Sequence, residues 1–566
     1  MLKRLHKTKG RRSMKRFFQF FMLIAIVFFV SACTDDSETA VEGGSPSEGG
    51  DLIMSFPTDI ISMDPHGSED TPSEQVRHTI YEGLVTHDEN MEIAPALATE
   101  WEQIDETTWE FSLREGVTFH DGSEFNAEVV EANIDRLKDI ARASPRLFIL
   151  DMISEVNVID DYTVEIITEY PFSPLLGNLS HGAGKMISKE LIDEDYQNAI
   201  DEAELDITLD EYYELREDGG SEHEEIASQI GNSTGTLVEQ HPVGTGYLQF
   251  DSRTPGESTT LVAYEDYWDG PPTIDSAEFK AVSETSARIA ELETGTSDFI
   301  ARSESNNIDR IESNENLTLD KTDALAIDYI GINTEKEPFN NKLVRQAITH
   351  AFNQEAVLSG VFNDSGTPAI GALSPVTLGY DENLEPLEYD MERAAELLAE
   401  AGYEDGFEAN IMINEDNPER LDTAIWLQES LADLNIDINI QQVEWGAYLE
   451  MTGNGEHDMF VLGWSNPPAD PNHLLSTLFH SDMIGTAGNR SFFSNEEFDR
   501  LLDEGKRESD QAAREQIYKD AQEILIDEAP AIFIRYPENL NAYQSNINGL
   551  IIDNNNLLDL RNVTRE

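Results

Sequence analysis

The chain has 566 residues, 39% of them hydrophobic, with 112 Asp and Glu against 37 Lys and Arg. That much apolar material over that length predicts two or three packed domains rather than disorder. A formal net charge of −75, with no dense Lys/Arg patch beyond Arg16, excludes a nucleic-acid binder, which needs clustered cations to neutralise phosphate.

Residues 1–32 read as a signal peptide. A basic run with Lys3, Arg4, Lys7, Lys9, Arg11, Arg12, Lys15 and Arg16 precedes the apolar stretch Phe17 to Ala32, and small residues close it. At 16 residues the stretch falls short of the roughly 20 that span a bilayer as a helix. Met14 is an alternative initiator. Cys33 follows at once and is the only cysteine, so it has no disulfide partner and no second sulfur for a metal or redox pair. Removing the leader's eight bases leaves 29 against 112 acids. Such a surface repels itself at low ionic strength and is relieved in ~1 M salt, where the screening length is about 3 Å. A salty extracytoplasmic setting is the expectation, with solubility in an alkaline medium as the alternative.

Residues 33–50 have the Gly, Ser, Pro and acid composition of a flexible tether, reaching roughly 20–25 Å. From Thr107, Trp109, Phe111 and Leu113 alternate with polar residues as in a half-buried strand; Asp121-Gly122 then marks a turn before a helical spacing. Residues 190–240 are unusually acidic and predict an exposed helical insertion. Two enzyme patterns fail on context. GNLSHGAGKM, ending near Lys185, lacks the first Gly and the following Ser or Thr of a phosphate loop. Gly231-Asn232-Ser233-Thr234-Gly235 has nucleophile-elbow spacing, but a helical stretch precedes it and a strand or loop is expected after it, the reverse of what the elbow requires. His457, His473 and His480 lack the spacing of a helical metal pair, so no metal or other cofactor is expected.

The second half gives the clearest topology. Asp390 caps a helix with Met391, Ala394, Leu398 and Ala401 on one face and Gly402 as its stop. A strand over 408–414 leads to a helix carrying Leu421, Ala424, Leu427, Leu431 and Leu434. An alternating strand with Ile436, Ile438 and Ile440 and the apolar run 459–464 follow, which implies a parallel βαβ unit. Ligands of such sheets sit beyond the carboxyl ends of strands, which here are Asn414 and Trp464-Ser465-Asn466-Pro467.

Segments across nearly the whole chain beyond the leader resemble the family 5 extracellular solute-binding proteins, the peptide and nickel receptors of ABC importers. They include ISMDPHGSEDTPSEQVRHTIYEGLVTHDENMEIAPALATEWE, WEFSLREGVTFHDGSEFNAEVV, PVGTGYLQF, YWDGPPTIDSAEFK, YIGINTEKEPFNNKLVRQAITHAFNQ, YDMERAAELLAEAGYEDGF and the stretch from GEHDMFVLGW to GNRSFFSNEEFDRLL. Val30-Ser31-Ala32-Cys33 likewise resembles a bacterial lipobox, implying cleavage before Cys33 and lipid on its thiol. Tyr247 stands where the family has Pro after VGTG, and residues 196–240 look inserted.

The resemblance implies an α/β, two-lobe periplasmic-binding-protein-like fold of the Venus-flytrap kind, type II, with an extra subdomain in lobe I. Lobe I is expected over 51–325, lobe II over 326–528, and a return to lobe I over 529–566. It implies a monomeric, non-catalytic receptor that closes on a solute and delivers it to membrane permease subunits. Dipeptide-binding members hold the peptide's carboxylate with an Arg at the position of Asn414 and its amine with an Asp at that of Pro467. Without that pair, longer peptides fit better than dipeptides. Asp470 is a candidate replacement for the amine anchor, Arg490 a candidate anion partner, Trp464, Ser465, Asn466 and Asn414 candidate contacts, and His66 a candidate to face the cleft. Asp470 as a turn-former, Arg490 as a loop brace and Trp464 as a core side chain are the competing readings. Glutathione, a nickel chelate or an opine is the alternative solute; a hydrolase or signalling protein on the same fold is the alternative of another class.

Overall fold

The computed structural model of the protein describes residues 47, 48 and 50–566, apart from 89, 416 and 487. The leader and Cys33 lie outside the described residues. The expected tether ends earlier than residue 50: Ser47–Glu48 pairs with Thr564–Arg565, and Gly50 opens the strand Gly50–Phe56.

Three sheets organise the chain. A seven-stranded sheet runs in the order Leu317–Asp323, Glu538–Gln544, Phe299–Ile300, Gly50–Phe56, Ile274–Ala281, Ser258–Ala263, Leu248–Thr254. Beside it, a four-stranded antiparallel sheet joins Ala98–Gln103, Thr108–Leu113, Thr163–Thr168 and Ile153–Asp160. Phe111 and Leu113 point into its core as the alternation predicts.

The third sheet has six strands, ordered Thr367–Pro368, Ala531–Tyr536, Ala326–Ile332, Met459–Ser465, Glu408–Asn414, Asp437–Val443. Glu408–Asn414 pairs in parallel with both Asp437–Val443 and Met459–Ser465, which confirms the βαβ unit. Helices cover both faces. Ile411, Ile413, Met459 and Val461 pack on one side, against Leu398, Leu427 and Leu431, while Met412, Phe460 and Leu462 pack on the other. This two-sided burial is why those strands read as unbroken apolar runs. Asp390 caps Met391–Ala401 by accepting from the Glu392 and Arg393 amides, and Gly402 ends that helix at φ +83°.

The chain passes between the large sheets twice: between Asp323 and Ala326, close to the expected boundary, and between Tyr536 and Glu538. The second crossing corrects the expected return at residue 529. Ala529 is the left-handed C-cap of the helix Gln511–Glu528, so it looks like an exit, but Ala531–Tyr536 still pairs within the six-stranded sheet.

Residues 190–240 are helical, as Lys189–Glu202, Leu209–Asp218, Ser221–Ile230 and Thr236–Gln240, but they are not merely an exposed addition. Tyr196 and Tyr212 are fully buried and both donate hydroxyls to Asp139. The elbow-like Gly231–Gly235 segment is a turn between two of these helices, with a helix rather than a strand or loop after it. Gly244 and Gly246 of the VGTG segment are needed for a close approach: a Cβ there would stand 2.0 and 2.3 Å from the carbonyl oxygens of Ile80 and Thr79. Tyr247 replaces the family's Pro usefully, its hydroxyl donating to the Leu558 carbonyl and accepting from the Leu560 amide. Among the described residues, no helix is long and apolar enough to cross a membrane.

Candidate functional site

The six-stranded sheet has one point where neighbouring strands leave in opposite directions. Glu408–Asn414 continues outward through the helix Pro418–Ala432 to Asp437–Val443, whereas Met459–Ser465 leads to Ala531–Tyr536 on the far side. The crevice opened there lies between the carboxyl ends of the two strands, at Asn414 and at Trp464–Asn466.

Three polar atoms at one side of it lack a protein partner. Trp464 is half-buried against the core beneath, and its Nε1 is buried without an acceptor. Asn466 is 1% exposed, and neither its Oδ1 nor its Nδ2 is bonded, although its backbone amide donates to the Leu325 carbonyl. A buried carboxamide without partners costs roughly 1–3 kcal/mol, so its retention points to a ligand that supplies both a donor and an acceptor. Ser465 ends the strand and is exposed.

On the other side, Asn414 is buried, and its Oδ1 accepts from Arg420 Nη1 at 2.6 Å. Only three residues separate Asn414 from Pro418, so the first turn of the helix stands at the strand's end and brings Arg420 there. The Arg420 guanidinium lies 5.7 Å from the Trp445 ring centroid, and no carboxylate pairs with it among the described residues. Trp445 begins the helix Trp445–Gly453 at the carboxyl end of Asp437–Val443; it is exposed and stacks on Tyr448. Arg420 and Trp445 escaped the sequence reading. A cation in the first turn, against the helix dipole, is the signal that would have raised Arg420.

Three of the expected contacts sit otherwise. Asp470 is buried, takes two hydrogen bonds from Arg514 Nη2 at 2.7 and 2.8 Å, and caps Pro471–Phe479 through the Asn472 amide. It is not free to hold an amine. Asp470→Ala is therefore expected to cost about 3–5 kcal/mol of stability by leaving a buried guanidinium unpaired, with solute affinity retained. Denaturant unfolding beside a binding isotherm checks this. Arg490 braces a loop: its Nη1 donates to the Leu449 carbonyl and Thr452 Oγ1.

His66 does not face a cleft. It is 1% exposed, its Nδ1 accepts from Arg136 Nη1 at 2.8 Å, and it belongs to a buried ionic cluster of the first half. There Asp64 is gripped by Arg136 at 2.6 Å and Arg142 at 3.0 Å. Glu74 meets Arg77, Arg146 and Lys185. Burial opposes Asp64's charge, but the adjacent guanidinium groups prevail and hold its carboxyl well below the usual carboxylate range.

Burial keeps several histidines neutral. It lowers His87, His120 and His473 to about 4 and His78 and His457 to about 3, and lowers His66 and His181 from their ordinary value. The unfolded chain takes up these protons near pH 6.5 and the folded chain does not. Stability present above pH 6.5 is thus lost as pH falls toward the folded values, at about 1.4 kcal/mol per unit for each group that titrates. Carboxyls that burial raises oppose this, Asp553 at about 6 and with it Glu82, Asp195 and Glu419, but they titrate mostly below the range in which the histidines act. Calorimetry is expected to show the melting midpoint falling steadily from pH 7 to 4.5; a flat profile would contradict these placements.

The profile described as bacterial extracellular solute-binding proteins, family 5 Middle, matches residues 92–486. The chain belongs to this family. The family 5 protein is 29% identical over 510 residues to the glutathione-binding protein GsiB of Escherichia coli strain K12, covering 89% of this chain and 92% of that one. Its fold matches the Helicobacter pylori periplasmic binding protein DppA in complex with the peptide STSA, at TM-score 0.73 and 30% identity, over 92% and 99% of the two chains. It also matches the Bacillus subtilis oligopeptide-binding protein AppA in complex with a nonapeptide, at TM-score 0.73 and 25% identity, over 92% and 100%. The two-lobe fold expected for the family 5 protein is the one found. It is the substrate-binding component of an ABC transporter, acts outside the cytoplasm, and is not an enzyme.

Proposed function

We propose that this family 5 protein captures oligopeptides or peptide-like solutes between its two lobes and delivers them to the permease of an importer. The observation that carries this is the pair Trp464 and Asn466, whose buried, unpartnered Nε1, Oδ1 and Nδ2 match the alternating acceptors and donors of an extended peptide backbone. The lobes are taken to divide where the chain changes sheets, at 324–325 and 537. Glutathione is the specific second reading, supported by the likeness to GsiB.

Native mass spectrometry of protein purified from its source tests the proposal. A retained mass that fragments as a peptide is expected, and glutathione would show as a single tripeptide mass. A metal chelate or no bound solute in every preparation would contradict it.

The tether and anchor belong to the same reading. Cleavage before Cys33 and lipid on its thiol would hold the receptor at the membrane's outer face as a monomer, and the acid excess would keep it soluble in high salt. Labelling with a radioactive fatty acid should mark the wild-type chain and not Cys33→Ala; label on the variant would contradict the anchor.

A further inference from the structure

The seven-stranded sheet repeats the geometry of the candidate site. Gly50–Phe56 and Phe299–Ile300 are adjacent and parallel, and the chain leaves them toward opposite sides. Beyond the carboxyl end of the second strand stands Arg302, and three residues on, Ser305 Oγ donates to Glu419 in the first turn of the Arg420 helix. This hydrogen bond sets the segment after Phe299–Ile300 against the start of the Arg420 helix.

Arg302 has three unusual properties together. Its backbone is left-handed at φ +52°, a conformation that disfavours every residue with a Cβ and suits glycine. Its main chain is held there by the Asn541 Oδ1 acceptor and by Arg288 Nη2, which donates to the Arg302 carbonyl. Its side chain makes no hydrogen bond, ion pair or ring contact among the described residues, in a chain with 112 carboxylates. The residue is exposed, and desolvation lowers its pKa with no carboxylate acting against it. Next to it, Ser303 is 7% exposed and its Oγ has no partner.

We propose that Arg302, with Ser303 Oγ, is a specificity-determining subsite that receives an acidic group of the solute. The proposal rests on the peptide-receptor reading and adds to it that the preferred solute carries an acidic side chain. A strained cation without an acid is explained if its acid arrives with the solute.

The test presents the full-length receptor with an equimolar mixture of tetrapeptides, three positions alanine and one internal position Glu, Gln or Lys, and weighs the retained peptides by native mass spectrometry. Wild type should favour Glu over Gln by about tenfold or more, the scale of one charge-assisted hydrogen bond. Arg302→Gly should lose that preference while keeping neutral peptides and raising the melting midpoint, because glycine relieves the left-handed backbone. Arg302→Lys should restore part of the preference. Peptides retained by wild type without a Glu preference, or the same preference in Arg302→Gly, would overturn this subsite and leave the receptor reading standing. Retention of no peptide by wild type would overturn both.

Discussion

Arg136→Met is expected to lower the unfolding free energy by about 3–5 kcal/mol, the cost of stripping a buried carboxylate of its main counter-charge. Arg136 and Asp64 are essentially inaccessible, and the guanidinium contacts both carboxylate oxygens as well as His66 Nδ1. Arg142, the second partner of Asp64, remains but is only one of the two cations that hold the carboxylate charged. The loss should also depend on pH. Asp64's folded pKa is depressed, so its contribution is present above the unfolded value near 4 and fades as pH falls below it. Chemical denaturation of wild type and variant at pH 7 and pH 3.5 checks this: the gap between them should narrow in acid. Equal stability at pH 7 would mean that the cluster does not hold the fold.

The second large effect falls on binding. Asn466→Leu keeps the side chain's branching and heavy-atom count and removes two buried, unpartnered polar atoms. Removing them should stabilise the unliganded protein by about 1–3 kcal/mol and weaken a peptide ligand by about 10- to 100-fold. Rising stability with falling affinity is a signature that a structural asparagine would not give. Trp464→Phe removes Nε1, one hydrogen-bonding atom against the two of Asn466, together with part of the indole's packing on the core, so its affinity loss should be smaller and its melting midpoint should not rise. Isothermal titration with the co-purified solute, beside thermal melts, reads both quantities.

The sequence made the second half legible because its strands are buried on both faces. A run such as Met459–Leu462 has nowhere to sit except inside a sheet, and Asp390 and Gly402 mark a helix by chemistry that acts within a few residues. Asp470 was not legible for the opposite reason. Its role is set by Arg514, 44 residues away, and nothing local distinguishes a cap held by a distant arginine from a free anchor. His66 misleads in the same way, since Arg136 lies 70 residues on.

The acidic stretch 190–240 shows the limit of composition. Most of its charges face water as expected, but Asp195 is buried and accepts from the Gly235 and Leu237 amides, while Tyr196 and Tyr212 turn inward and share the buried carboxylate of Asp139. Leu191, Ile192, Ile200, Ile230 and Val238 join them in the core, but spaced among so many acids they did not read as an apolar face. Asn414 and Trp464–Asn466 could be placed at strand ends from the βαβ pattern alone, whereas Arg420 and Trp445 depended on the short turn after Asn414 and on which helix starts beside it.

The most direct test is a crystal structure of the protein with the solute that co-purifies. The account predicts ligand density within about 3 Å of Trp464 Nε1 and of both polar atoms of the Asn466 carboxamide, in the crevice between the two large sheets. Density elsewhere on the molecule, with those three atoms still unbonded, would contradict it.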